Sequence, residues 1–134
     1  MEDAFVGQFM SSPVLTIDPE TTVADAGRAM TEEGIKSVVV IDDSCHPEGI
    51  ITSTDFVRVA AEERDPSETT VAAYMTTDIV TTTAGASIRD VAETMRTHDV
   101  SHLPVVNEDS QVTGMVSGTD LTAYLSGVAD IVAD

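Results

Sequence analysis

Residues 49–56 read GIITSTDF, and residues 114–121 read GMVSGTDL. Each stretch, here called a closing signature, runs from a glycine through two apolar residues and a hydroxyl residue to a Thr-Asp pair. An apolar run that ends in hydroxyl residues and an aspartate is typical of a strand that leads into a capped helix. Its return 65 positions later indicates an internal repeat.

The repeat extends from the closing signatures toward the amino terminus. A shift of 65 positions aligns residues 9–56 with residues 74–121 without a gap. We interpret this as a tandem duplication, with repeat 1 at 1–63, a linker at 64–73, and repeat 2 with a C-terminal helix at 74–134. The identical pairs outside the signatures are Met10 and Met75, Thr16 and Thr81, Asp25 and Asp90, Met30 and Met95, and Val40 and Val105.

Both repeats predict the same order of elements. An extended stretch at 14–17 or 79–82 precedes a helix whose apolar residues recur at i, i+3, i+4 and i+7. We expect Gly34 to end the first of these helices. A β-branched strand, the strand of the closing signature and a second helix follow. The fold class is therefore α/β (α+β), as two tandem β-α-β-β-α repeats packed as one pseudo-twofold module. The helix stripes are Val23, Ala26, Gly27 and Met30, then Ile88, Val91, Ala92 and Met95.

The net charge limits the partners. The chain has 24 acidic and 6 basic residues, a formal charge of −18 over 134 residues. Such a charge repels nucleic acid and anionic membrane surfaces, so neither is expected as a partner. The acids are spread along the chain, and this composition resembles proteins of haloarchaea, which implies a halophilic protein. No signal peptide or membrane-spanning run is recognisable, so we expect a cytoplasmic location.

Catalysis has little support in the sequence. No nucleophile stands beside an obvious base, and we expect no catalytic residues. Cys45 is the single cysteine, so it cannot form a thiolate cluster with a second one. His98 and His102 are four residues apart, but they would share a helical face only if the helix ran through residue 102, and the strand pattern there argues against this. We therefore expect neither a metal site nor a cofactor.

The duplicated β-α-β-β-α order, closed by G-h-h-[ST]-x-[ST]-D, resembles the cystathionine-beta-synthase (CBS) domain. Two such domains in tandem resemble a Bateman module. Repeat 2 carries the fuller pattern, HDVSHLPVV followed by TGMVSGTDL, whereas repeat 1 has Val39 in the place of Pro104. The resemblance implies a regulatory module that binds AMP, ADP or ATP, with S-adenosylmethionine as a further candidate, and acts on a partner protein in trans.

The resemblance also implies two nucleotide sites, each shared between the repeats. The first would combine ribose and phosphate residues of repeat 1 with adenine residues of repeat 2, and the second would do the reverse. The first set is Ile50, Thr52, Thr54, Asp55 and Lys36 with Val80, Val100 and Ser101. The second set is Met115, Ser117, Thr119, Asp120 and His102 with Leu15, Ile35 and Lys36.

The chemistry of the signatures suits such a ligand. An ionised aspartate only accepts hydrogen bonds, so Asp55 and Asp120 could take the two vicinal hydroxyls of a ribose. The neighbouring hydroxyls and the free amides of a helix start could bind phosphate. Lys36, the only lysine, falls where CBS domains often carry a cation. Two alternatives stay open: the aspartates only cap their helices, or the module is a ligand-free dimerisation or interaction module.

The last helix predicts self-association. Its apolar stripe is longer than one small repeat needs, and CBS pairs commonly dimerise through these helices, so we expect a homodimer. The stripe consists of Leu121, Tyr124, Leu125, Val128, Ile131 and Val132.

Overall fold

The computed structural model describes residues 4–12 and 14–133, the last six of them by their backbone only. Four helices and five strands lie in this part of the chain, with two short 3-10 helices at Val6–Gln8 and Val71–Ala73. In chain order they are β1 Thr16–Ile17, α1 Val23–Glu33, β2 Ser37–Ile41, β3 Pro47–Thr52, α2 Ser53–Ala61, α3 Ile88–His98, β4 His102–Val106, β5 Val112–Ser117 and α4 Gly118–Ala133.

The predicted α+β order is confirmed in full for the first repeat, where β1, β2 and β3 form one sheet. In the second repeat the opening strand predicted at 79–82 is reduced to one parallel bridge, between Thr82 and Val105. The reason is Pro104. A parallel ladder that continued toward residue 80 would need the amide N–H of residue 104 as its next donor, and proline has none.

The helices α1 and α3 begin and end as their sequences predict. Thr22 and Ser87 cap the starts, and each hydroxyl accepts a 3.1 Å hydrogen bond from the backbone N–H three residues later. Gly34 ends α1 with φ 66°, in the left-handed region that glycine tolerates best. Asp99 takes the same role after α3 with φ 53°. The apolar stripes of both helices face the core as predicted, and Ala26 and Val91 are almost fully buried. The exception is Ala92, which was predicted on the α3 stripe but is exposed, because it lies at the edge of the face formed by Ile88, Val91 and Met95.

Two hydrophobic cores hold the protein together, one in each of two compact units. We call them unit A and unit B. Unit A contains residues 14–79 and 110–112, and its core centres on Val38, Val40 and Ile51. Unit B contains residues 4–12, 80–109 and 113–133, and its core centres on Leu103, Val105 and Val116.

The units do not follow the repeats along the chain. The segment 4–12, at the start of repeat 1, packs in unit B with most of repeat 2. The segment 69–76, which spans the end of the linker and the start of repeat 2, packs in unit A with most of repeat 1. We call these two stretches the leading segments. The repeat boundaries predicted from the sequence, at residues 63 and 74, follow the order of the chain. In the structure each leading segment instead packs with the other repeat.

Both leading segments are held by the same backbone hydrogen bonds. Val6 N–H donates to the Ala86 carbonyl at 2.9 Å, and Val71 N–H donates to the Thr21 carbonyl at 2.8 Å. Each segment ends in an antiparallel bridge to a closing signature, Ser11 to Met115 and Thr76 to Ile50. Because these pairs are related by the same 65-residue shift, the duplication includes the leading segments.

Candidate functional site

The glycine of each closing signature makes room for a leading segment. A Cβ atom at Gly49 would lie 2.6 Å from the Met75 sulfur, and one at Gly114 would lie 2.8 Å from the Ser11 carbonyl oxygen and 2.9 Å from the Met10 sulfur. Real Cβ atoms do not approach other atoms so closely. The repeated glycines and methionines are therefore one packing device used twice, and they bring each leading segment to the strand that precedes the signature aspartate.

The hydroxyl residues of the signatures lie where a strand passes directly into a helix. Strand β3 ends at Thr52 and α2 begins at Ser53, while β5 ends at Ser117 and α4 begins at Gly118. The first amide of each helix donates to the residue just before the neighbouring strand, Ser53 N–H to the Lys36 carbonyl before β2 at 3.1 Å and Gly118 N–H to the Ser101 carbonyl before β4 at 2.9 Å. Lys36 thus lies beside the helix start that carries Asp55.

The signature aspartates already cap their helices. Asp55 Oδ2 accepts a 2.8 Å hydrogen bond from Thr52 N–H, and Asp120 Oδ2 accepts one of the same length from Ser117 N–H. Both carboxylates therefore have a hydrogen-bond partner in the protein without any ligand, because the backbone supplies one. Capping leaves the second carboxylate oxygen, Oδ1, for other contacts.

The two Oδ1 atoms have different surroundings. Asp55 Oδ1 lies 3.2 Å from Arg58 Nη1, and the Asp55 side chain is only 8% exposed. The position that matches Arg58 in the second repeat is Ala123. Within the part of the chain that the structure describes, Asp120 Oδ1 has no hydrogen bond or ion pair, and Asp120 is half-buried. The two signatures therefore differ in the charge that their aspartates present.

Tyr74, in a leading segment, supports Arg58. The Arg58 guanidinium lies 5.2 Å from the centre of the Tyr74 ring, within the range of a cation–π contact. The Tyr74 hydroxyl donates to Glu62 at 2.9 Å, and burial together with this carboxylate raises the pKa of the phenol. Arg58 is thus held by a carboxylate on one side and an aromatic ring on the other.

Unit A brings together the candidate residues of repeat 1. Lys36 and Thr54 are exposed, Thr52 is half-buried, and Ile50 and Asp55 are buried. The Lys36 ammonium makes no ion pair with any residue in the described ranges. Leu15 and Ile35 are partly buried against the core of this unit.

Unit B brings together the candidates of repeat 2. Met115 is buried, Ser117 is half-buried and Thr119 is exposed. His102 is half-buried, and its Nδ1 lies 3.1 Å from Ser101 Oγ. Val80 and Val100 are partly buried against the core. We predicted that each nucleotide site combines adenine residues of one repeat with ribose residues of the other. Such a site would need residues of both units, and it stays a prediction.

Two features of the site were missed at the level of sequence. The leading segments read VGQFMS at 6–11 and VAAYMT at 71–76, so the alignment could have started at Val6 and Val71 instead of residues 9 and 74. Arg58 was not among the candidates, although it stands three residues after Asp55, a spacing at which helical side chains meet.

The described side chains offer no metal site. Among residues 4–12 and 14–127, no three histidine, cysteine, aspartate or glutamate side chains are grouped so that they could hold a metal ion. Within the same ranges, the helices are too short or too polar to cross a membrane.

Comparison with known proteins identifies both halves of the chain. The model of the CBS domain matches residues 6–62 and 71–127. An uncharacterized 17.7 kDa protein of Acidianus ambivalens is 34% identical over 123 residues, which are 92% of this chain and 74% of that protein. The CBS domain pair of protein MJ0100, crystallised with 5'-methylthioadenosine and S-adenosyl-L-methionine, superposes with a TM-score of 0.87 at 24% identity, over 94% of this chain and 98% of that one.

Some relatives are much longer than this chain. A homoserine O-acetyltransferase of Methanohalobium evestigatum is 29% identical over 125 residues, which are 93% of this chain but 25% of the enzyme. Only a quarter of that enzyme is therefore similar to this chain.

Proposed function

Because the chain belongs to the CBS domain family, with one domain in each half, we propose that it is a regulatory module that binds an adenosine nucleotide. The ligand class is AMP, ADP or ATP, with S-adenosylmethionine as a further candidate. The observation that carries this proposal is the repeated helix start, where an aspartate, a hydroxyl and a backbone amide converge twice.

The geometry of that helix start supports a ribose ligand. Capping engages Oδ2 of Asp120 and leaves Oδ1 available to accept from ribose hydroxyls. Exposed Thr54 and Thr119 lie next to the aspartates, where their hydroxyls can donate to phosphate. A helix start also favours an anion through its dipole and its free amides.

Lys36 supports a phosphorylated ligand in particular. It is the only lysine of a chain with a charge of −18, and it lies beside the start of α2. Since that charge repels an anionic ligand, a local cation is needed at the phosphate. The Lys36 ammonium is exposed and unpaired among the described side chains, so it is free to take this role.

The similarity to solved CBS pairs supports the adenosine part of the ligand. Protein MJ0100 was crystallised with 5'-methylthioadenosine and S-adenosyl-L-methionine, and both compounds contain adenosine. The attachment of a similar segment to a homoserine O-acetyltransferase in Methanohalobium evestigatum supports a regulatory role. We propose that this chain has no catalytic activity of its own and acts in the cytoplasm on an effector protein.

The alternative function is a ligand-free dimerisation or interaction module. The capping bonds of Asp55 and Asp120 favour it, because they give both aspartates a structural role without a ligand. The Arg58 contact favours it for the first signature in the same way.

Isothermal titration calorimetry separates the two functions. We expect nucleotide-stripped protein to give saturable heat with at least one of AMP, ADP, ATP and S-adenosylmethionine. Measurements in molar potassium chloride suit the proposed halophilic origin, which is based on composition alone. UMP keeps the ribose and phosphate without the purine, so it controls for simple anion binding. A flat titration with all four adenosine compounds would support the ligand-free module.

We also propose that the module forms a homodimer through α4. Leu121 packs on the core of unit B and Tyr124 contacts Phe9, whereas Leu125, on the same predicted stripe, is 63% exposed. The side chains of Val128, Ile131 and Val132 lie outside the described residues. A large apolar side chain exposed to water on a regular stripe favours a protein partner, and we infer that this partner is a second copy of the chain.

A charge placed on this stripe should weaken the dimer. Leu125→Glu would bury a carboxylate in each half of a twofold interface, so we expect the dissociation constant to rise by at least about tenfold. Multi-angle light scattering across the micromolar range measures the change. Thr122→Glu adds the same charge at an exposed α4 position off the stripe, and it should leave the mass unchanged. A parent protein that is monomeric throughout this range contradicts the proposal.

A further inference from the structure

We propose that Arg58 makes the two adenosine sites unequal, because it competes with the ligand's ribose for Asp55 while Asp120 meets no such competitor. This inference rests on the proposed function above and adds an order of filling to it. The Asp120 site fills first, and the Asp55 site, where Arg58 competes with the ribose, fills at a higher ligand concentration.

The competition follows from the contacts of the carboxylate. Asp55 Oδ2 accepts from Thr52 N–H at 2.8 Å, and Oδ1 accepts from Arg58 at 3.2 Å. A ribose that approaches this carboxylate with two hydroxyl donors finds both oxygens engaged. To bind both hydroxyls, it has to displace the guanidinium or share Oδ1 with it.

A second contact keeps the competitor in place. The Arg58 guanidinium lies over the Tyr74 ring, and the Tyr74 hydroxyl is held by Glu62. Because Arg58 is braced in this way, it loses less freedom when it pairs with Asp55. Tyr74 belongs to the leading segment 69–76, so the packing of that segment affects how firmly Arg58 is held beside Asp55.

An i, i+3 ion pair between an aspartate and an arginine also occurs elsewhere in the chain, so the Asp55–Arg58 pair has an ordinary helical geometry. Asp25 and Arg28 form the same i, i+3 ion pair at the start of α1, away from either closing signature. In α4 the position three residues after Asp120 is Ala123, which is exposed and cannot pair. One position in the sequence therefore accounts for the difference between the two signatures.

The strength of the competition between Arg58 and the ribose depends on how exposed the Arg58–Asp55 ion pair is. The Arg58 side chain is 52% exposed and Asp55 is 8% exposed, so the pair is intermediate between a surface and a buried ion pair. Exposed pairs are weak, and we therefore expect the competition to reduce ribose affinity on the order of fivefold.

The test measures one site at a time with adenosine, whose lack of charge keeps phosphate attraction out of the result. In an Asp120→Ala background only the Asp55 site remains, and adding Arg58→Gln should tighten adenosine binding on the order of fivefold in calorimetry. In an Asp55→Ala background only the Asp120 site remains, and adding Ala123→Arg should weaken binding by a similar factor. Thermal melts of every variant establish that each one is folded.

Arg28→Gln is the matched control. It removes the same charge from the same kind of i, i+3 pair, and it should leave adenosine binding unchanged in both backgrounds. Unchanged or weaker binding with Arg58→Gln, while the parent binds adenosine, overturns the inference and leaves the proposed function standing. A parent protein that binds none of the adenosine compounds overturns the proposed function, and the inference with it.

Discussion

We expect that replacing both Asp55 and Asp120 by alanine will abolish the thermal stabilisation that the proposed adenosine nucleotide would give to this protein. A ligand that binds only the folded state raises the free energy of unfolding by about 2.7 kcal/mol at a hundredfold excess over its dissociation constant. For a domain of this size, about 4 °C per kcal/mol converts this into a shift on the order of 10 °C. We expect the parent to show that shift with AMP or ATP and the double variant to show none.

The double variant should still melt cooperatively. Each alanine removes a carboxylate that caps a helix, and such a loss costs about 1 kcal/mol. Asp25 and Asp90 provide the matched control, because they occupy the same third position of α1 and α3. Their carboxylates are exposed and accept no backbone capping bond in the described part of the chain, so the Asp25→Ala, Asp90→Ala double variant should be destabilised by no more than the signature variant, and it should keep the full nucleotide shift. A nucleotide shift that persists in the Asp55→Ala, Asp120→Ala variant would mean that the signature aspartates serve only as caps.

The second large effect concerns stability: Gly114→Ala should lower the melting temperature more than Gly49→Ala does. A Cβ at Gly114 meets the Ser11 carbonyl oxygen at 2.8 Å, and that oxygen accepts a hydrogen bond from Met115 in the bridge that ends the leading segment. Relief of the overlap therefore moves the backbone and strains the bridge. Overpacking of this kind costs about 3 kcal/mol, or on the order of 10 °C.

The overlap at Gly49 has a softer neighbour. Its nearest contacts are the sulfur and Cγ of Met75, at 2.6 and 2.8 Å, and a methionine side chain can change rotamer. The backbone contact there, with the Thr76 carbonyl oxygen, is longer at 3.0 Å. We expect a cost of about 1 to 2 kcal/mol, and Met75→Ala should restore part of it in a double-mutant cycle. Met10→Ala should restore little to Gly114→Ala, because the clash with the Ser11 carbonyl remains.

Thermal melts of the single and double variants measure both effects. Gly127→Ala is the control, since a Cβ there meets no described atom within 4 Å, and an alanine inside a helix should be neutral or slightly stabilising. Equal losses at Gly49 and Gly114, or a full rescue of Gly114→Ala by Met10→Ala, would contradict the backbone argument.

The parts of the fold that depend on local pattern could be predicted from the sequence. The stripes of α1 and α3, the end of α1 at Gly34 and the strand-to-helix passage at Ser53 follow from periodicity and capping within a few residues. The capping bond from Thr52 to Asp55 is equally local, and it was rightly kept open as an alternative. The structure shows that this carboxylate does cap its helix, whereas its proposed contact with a ribose stays a prediction.

The long-range parts could not be predicted in the same way. The leading segment 4–12 reaches repeat 2 across about a hundred residues, as in the hydrogen bond from Ser12 to Thr113, which are 101 positions apart. Nothing in the local pattern of residues 4–12 shows which repeat they join. The reduced opening strand of repeat 2 depends on Pro104 as a missing donor, which matters only once the register of the parallel pair is known.

The exchange of the leading segments sets an order of events during synthesis on the ribosome. Repeat 1 can complete its core as soon as Thr76 has emerged, because its leading segment follows it in the chain. Residues 4–12 emerge first, but their partner Met115 is translated about a hundred residues later, roughly 5 to 20 s at typical elongation rates. During that interval Val6 and Met10 are without their core, so this leading segment is an apolar stretch that chaperones can bind until translation supplies its partner.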